Sequence, residues 1–128
     1  MANPKSTGME TLVSFFKDIY QNFNERKIEQ VIKCTTDDVQ WANGMDGGYV
    51  NGHEGLRQYW TRQFGLVSSN VTPLQIEDDE NSIVKIKVHQ VVHDLKGNLL
   101  TDKMVDHYFY LHDRKIARFD IVDKPSGE

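Results

Sequence analysis

The stretch MVDHYFYLHD, residues 104–113, holds the side chain best suited to chemistry in this sequence. Side chains along an extended strand alternate between two faces, so Val105, His107, Phe109 and Leu111 form one row. His107 is the polar member of that otherwise apolar row. An imidazole there can move a proton, orient a polar group on a ligand, or sit buried on a hydrogen-bond partner. In the last strand-like stretch, KIARFDIVD, the residues Ala117, Phe119, Ile121 and Asp123 share a side, which brings Asp123 to the rim of any pocket that His107 faces. Asp120 then faces away unless a bulge re-aims it. His107 and Asp123 are the candidate catalytic residues.

A binding set surrounds them. Trp41, Trp60, Phe64, Phe109 and Phe119 are large aromatics that different elements send inward, and Asn43, Gln90 and Tyr20 add polar groups. Such a mixture suits an apolar small molecule with one polar end. The same residues can also fill a closed core. His89 and His93 do not make a metal site, because four residues of strand span roughly 13 Å. The single cysteine, Cys34, forms no internal disulfide or metal motif and reads as a small buried hydrophobe. GMDGGYVNG lacks the lysine and spacing of a phosphate loop and reads as a flexible rim. Neither a metal nor a cofactor is expected.

These residues need a scaffold. Leu12, Phe15, Phe16, Ile19 and Phe23 fall on one helical face beginning at Met9, and Ile28, Val31 and Ile32 make a second, shorter helix. DDVQWAN alternates as a strand, with Val39, Trp41 and Asn43 on one side. YV is a short strand, and HEGLRQYWTRQFGLV returns to helical spacing. VTPLQIED, SIVKIKVHQVVHD, LLTDKMVDHYFYLH and KIARFDIVD follow as strands, separated at Glu80-Asn81, DLKGN and HDRK. Helices followed by a run of antiparallel strands indicate an α+β domain, a curved sheet wrapped around helices. Its expected extent is residues 9–123, with flexible tails at 1–8 and 124–128.

At 128 residues this is one domain, large enough for a core without disulfides. The net charge of −4, with basic residues scattered singly, argues against a nucleic-acid partner. No run approaches the ~20 apolar residues of a membrane span, and the N-terminus lacks the apolar stretch of a signal peptide, so a cytoplasmic protein is expected.

The order of three segments, FNERKIEQVIKCTTDDVQW, GGYVNGHEGLRQYW and DHYFYLHDRKIARFDIV, resembles the nuclear transport factor 2-like superfamily in its SnoaL-like, ketosteroid-isomerase-like branch. The resemblance implies a cone-shaped, cystatin-like α+β barrel, in which a curved antiparallel sheet wraps three N-terminal helices around an apolar pocket. It also implies homodimers through the outer sheet face, here Lys85, Lys87, His89, Val91, Tyr108 and Tyr110.

The catalytic sets of these relatives are incomplete in this chain. The isomerase base falls on Asn43, an amide that accepts no proton near neutrality. The isomerase tyrosine falls on Ile19, with Tyr20 turned about 100° away on the helix. The remaining acid of that set falls on Asp106 or His107, and alternation turns His107 inward and Asp106 outward. The cyclase histidine matches His107, whereas its aspartate falls on Ile121, with Asp120 and Asp123 nearby. Limonene-epoxide-hydrolase-like proteins share the spacing and amide of Trp41 and Asn43, but Val88, Gln90 and Ile121 replace their charged residues.

The expectation is a small-molecule-pocket protein acting on an apolar cyclic or polyketide-like ligand. An enzymatic form would be a proton-transfer isomerase or cyclase with His107 as base and Asn43 as oxyanion donor. The alternative is a non-catalytic ligand-binding or dimerisation module.

Overall fold

The computed structural model describes residues 4–78 and 81–123. Helix α1 (Pro4–Asn24) buries Phe16, Ile19 and Tyr20, with Leu12, Phe15 and Phe23 packed beside them. It begins inside the segment read as a tail, at a proline, which a first helical turn tolerates because its N–H would have no partner there. Residues 124–128, expected to be the other tail, and Glu80 of the expected Glu80-Asn81 turn lie outside the described residues. Arg26, at a φ of 66°, reverses the chain into the short α2 (Ile28–Ile32).

The strands are β1 (Thr35–Ala42), β2 (Tyr49–Asn51), β3 (Val67–Asp78), β4 (Ile83–Asp94), β5 (Leu99–His112) and β6 (Lys115–Val122), with α3 (Gly52–Leu66) between β2 and β3. They form one curved, unclosed sheet in the order β2-β1-β6-β5-β4-β3. The fold is α+β, as expected, with two corrections. The sheet remains open at β2 and β3, and it is not antiparallel throughout, because β1 and β6 pair in parallel. Nearly the whole fold connects those two strands, so no tight hairpin forces them antiparallel. Register shifts in β1–β6, β3–β4, β4–β5 and β5–β6 add local bends.

Strand β3 starts four residues before the expected VTPLQIED, directly after α3. Its first residues, Val67, Ser68, Ser69 and Asn70, carry little apolar alternation, yet they pair with Asp94, His93, Val92 and Val91. Side chains from the end of α1 and the turn after it close the free edge of β3. The Asn24 amide donates to the Val71 carbonyl (2.8 Å) and accepts from its N–H (2.9 Å), and the Arg26 guanidinium donates to the Ser69 carbonyl (2.7 Å). Covering an edge in this way blocks further strand pairing.

Asp106 corrects a simpler expectation. It lies on the face opposite His107, yet it is only 2% exposed, and Lys85 Nζ approaches its carboxylate at 3.7 Å. Alternation assigns a face to a residue. It does not say whether neighbouring side chains cover that face.

Candidate functional site

Between the helices and the sheet lies a cavity of about 630 Å³. Trp41 and Phe119 stack at 4.3 Å between ring centroids, and Trp60 meets Trp41 edge-on at 5.1 Å. The first stack joins β1 to β6 across the parallel pairing, and α3 supplies Trp60. Phe109 packs against Phe119 at 5.0 Å, and these four rings make an apolar wall along the cavity.

His107 lines the cavity while only 7% exposed. The Tyr20 hydroxyl lies 2.7 Å from its Nδ1, and the two rings are parallel within 9°. Burial pushes the imidazole down to about 3 despite the opposing charge of Asp106, and it pushes the Tyr20 phenol upward. Both groups are therefore neutral near pH 7.

Neutrality selects the proton arrangement. If Nδ1 carried the proton and donated to Tyr20, the phenol hydrogen would be buried without an acceptor among the described residues. That loss costs about 1–3 kcal/mol. The stable arrangement has Tyr20 donating to Nδ1, which leaves the proton on Nε2. Nε2 has no protein partner among the described residues, so His107 presents an N–H donor to the cavity.

Tyr20 thus reaches the interior even though it sits one helical step from the position expected for a site tyrosine. Ile19 and Tyr20 both line the cavity, because α1 lies over a concave sheet that surrounds more than one stripe of it. Asn43 lines the cavity as well, but its Oδ1 accepts from the N–H groups of Met45 and Asp46, each at 2.9 Å. Its carbonyl is therefore engaged in the following turn, which leaves the NH₂ group for a ligand. Trp41, Trp60, Gln90, Phe109 and Phe119 also line the cavity. Phe64 does not. It packs on Phe23 at 5.2 Å, with the Arg26 guanidinium 4.3 Å over its ring.

Asp123 is at the rim, exposed and paired with Lys103 at 3.2 Å. It lies two residues beyond Ile121, the strand partner of His107, or about 7 Å along an extended strand. The two candidate catalytic side chains therefore do not form a hydrogen-bonded pair. Asp120 also reaches the rim, where Tyr49 donates to it and Arg118 binds it at 3.0 Å. No group of three or more His, Cys, Asp or Glu side chains suited to a metal comes together among the described residues. No described helix is long and apolar enough to cross a membrane.

Polar lining residues that sequence reasoning missed include Tyr59, Gln63 and Ser69. Tyr59 and Gln63 are four apart on α3, so the spacing that gave Leu56, Tyr59 and Trp60 one face also carried Gln63 with Tyr59. Ser69 lies in the part of β3 that had no clear strand pattern.

No family model matches the chain, and no curated protein matches it by sequence. Solved structures do match. TerC, co-crystallized with polyporic acid, has a TM-score of 0.76 at 20% identity, covering 88% of this chain and 90% of that one. A nuclear transport factor 2-like protein of Burkholderia pseudomallei gives 0.77 at 15% identity, covering 88% and 89%. An LEH-like epoxide hydrolase of Mycobacterium tuberculosis gives 0.69 at 16% identity, covering 83% and 77%. The chain has the nuclear transport factor 2-like fold. On this nuclear transport factor 2-like scaffold the polar interior differs from the catalytic sets considered above. Val88, which the resemblance sets at the arginine position of the epoxide-hydrolase-like set, is fully buried, and Tyr20 and His107 form a neutral pair.

Proposed function

We propose that the chain is a small-molecule-pocket protein of the SnoaL-like type, and that its ligand is apolar and carries a hydrogen-bond acceptor for His107 Nε2–H. The observation that carries this reading is the buried Tyr20–His107 hydrogen bond at the wall of a 630 Å³ cavity. TerC, which shares the fold, was co-crystallized with polyporic acid. That supports an organic ligand of similar size here.

His107 is a donor in this reading, and not the base expected from the sequence. A neutral imidazole can polarise a carbonyl and stabilise negative charge developing on its oxygen. An enzymatic form would use it in that role during isomerisation or cyclisation. The carboxylates on the cavity lining, Asp120 and Asp123, are both engaged by cations, which favours the second reading, a binding module without turnover. We place the protein in the cytoplasm and assign it a homodimer through the outer sheet face. There Arg118 lies between Tyr49 and Tyr110 at 5.2 and 5.3 Å, a composition suited to an interface.

Nitrogen-15 NMR of the His107 ring, assigned with His107→Gln, tests the proposal. Between pH 5 and 8 the ring should stay neutral with its proton on Nε2, and that resonance should move on adding polyporic acid or 4-acetylbiphenyl. Tyr20→Phe should release the tautomer and weaken binding of either compound about tenfold, the size of one hydrogen bond of ~1.4 kcal/mol. A ring that protonates near pH 6.5, or that ignores both compounds, rejects the donor assignment.

A further inference from the structure

A second polar point lines the cavity where α3 runs into β3. Gln63 Oε1 is the one buried side-chain nitrogen or oxygen atom without a hydrogen-bond partner among the described residues, and Gln63 lines the cavity. Turning the amide over exchanges a buried acceptor for a buried donor, so either orientation leaves one atom unmatched. Val67 donates its backbone N–H to the Gln63 carbonyl and lines the cavity too. Ser69 is two residues further along β3 on the same face, is only 2% exposed, and lines the cavity as well. Buried polar groups in folded proteins are nearly always paired. The one left unpaired at this cavity wall, Gln63 Oε1, is matched to something outside the chain.

We infer that Gln63, assisted by Ser69, is a specificity-determining residue that recognises a hydroxyl group on the far end of the ligand. This rests on the reading that His107 holds an acceptor at the other end. The two points are well separated. Ser69 pairs with Val92 and Val92 with Thr101, whereas His107 is six residues beyond Thr101 on β5, roughly 20 Å along an extended strand. The ligand class is an elongated aromatic or alicyclic ketone bearing a distal hydroxyl. A hydroxyl hydrogen satisfies Gln63 Oε1, and its oxygen can accept from Ser69. An ether at the same place offers no hydrogen, so the site discriminates between the two.

Three linear probes separate the possibilities: 4-acetylbiphenyl, its 4′-hydroxy derivative and its 4′-methoxy derivative, titrated calorimetrically into the full chain. The wild type should bind the hydroxy compound at least tenfold more tightly than the methoxy compound. Gln63→Met should abolish that preference, so that the hydroxy and methoxy compounds bind equally. In the ligand-free protein, Gln63→Met should also raise Tm by roughly 3–5 °C, since it removes the unmatched amide at nearly constant volume. Equal binding of the hydroxy and methoxy compounds overturns the inference. So does a Tm that stays level or falls, which would mean that a bound water already satisfies the amide. His107→Gln provides the separate control: if it leaves all three affinities intact, the donor role of His107 fails while the Gln63 preference stands.

Discussion

The Tyr20–His107 hydrogen bond joins residues 87 positions apart, and it decides what the imidazole can do. A histidine held neutral by burial is linked to stability with a definite sign. Its value of about 3 lies below the ordinary 6.5, so between those limits the unfolded chain takes up a proton that the folded chain excludes. The stabilisation is complete above pH 6.5 and is lost as pH falls toward 3. Between pH 6.5 and 5, above the range where ordinary carboxylates titrate, His107 should remove about 1.5 kcal/mol of unfolding free energy. Urea denaturation at those two pH values should show this loss, and His107→Gln should remove that share of it. A wild-type slope unchanged by the substitution would mean that the ring is hydrated and titrates normally. The row Val105, His107, Phe109, Leu111 already indicated that His107 points inward. Its tautomer was hidden, because that depends on a partner from another element.

At the scale of elements, periodicity carried most of the information. β5 spans the residues read from LLTDKMVDHYFYLH, and α3 begins within a residue of its expected start. The misses have local causes. Val67 carries the helical spacing of the preceding segment yet opens β3, and Ser68, Ser69 and Asn70 offer no apolar alternation, so their pairing with β4 comes from the partner strand. The extra turn of α1 begins at Pro4, beyond the last apolar residue that marks the helical face. Asn24 and Arg26, at the end of α1 and just past it, seal the edge of β3. Asn24→Ala leaves the Val71 N–H and carbonyl without these bonds, and it should destabilise the fold by about 2 kcal/mol. Thermal unfolding and amide exchange at Val71 should both report it. Unchanged protection at Val71 would assign the edge to Arg26 alone.

For the whole molecule, the open sheet has two distinct faces. The concave face encloses the cavity, and the opposite one carries Asp106, Tyr108, Tyr110 and Arg118. Asp106 is already buried in the single chain beside Lys85, so part of this face is packed before any partner arrives. If the proposed homodimer uses this face, Tyr108→Glu should put a charge among its aromatics. Analytical ultracentrifugation should then show dimer for the wild type at 50 μM and monomer for the variant. Wild-type monomer at that concentration would exclude the assembly. The ligand point at Gln63 is independent of it, because Gln63 and Ser69 lie on the cavity side.

By itself the sequence determined the α+β class, nearly all the strands and helices, and the inward row that holds His107. Those features are periodic, and period is a local property of the chain. Tertiary structure alone decided that β1 lies parallel to β6, that Phe64 packs under Arg26 away from the cavity, and that Asp106 is buried. It also decided that Tyr20 meets His107, and that burial holds the imidazole neutral. Each of these depends on what stands opposite a side chain after distant segments pack, and burial then sets protonation through desolvation.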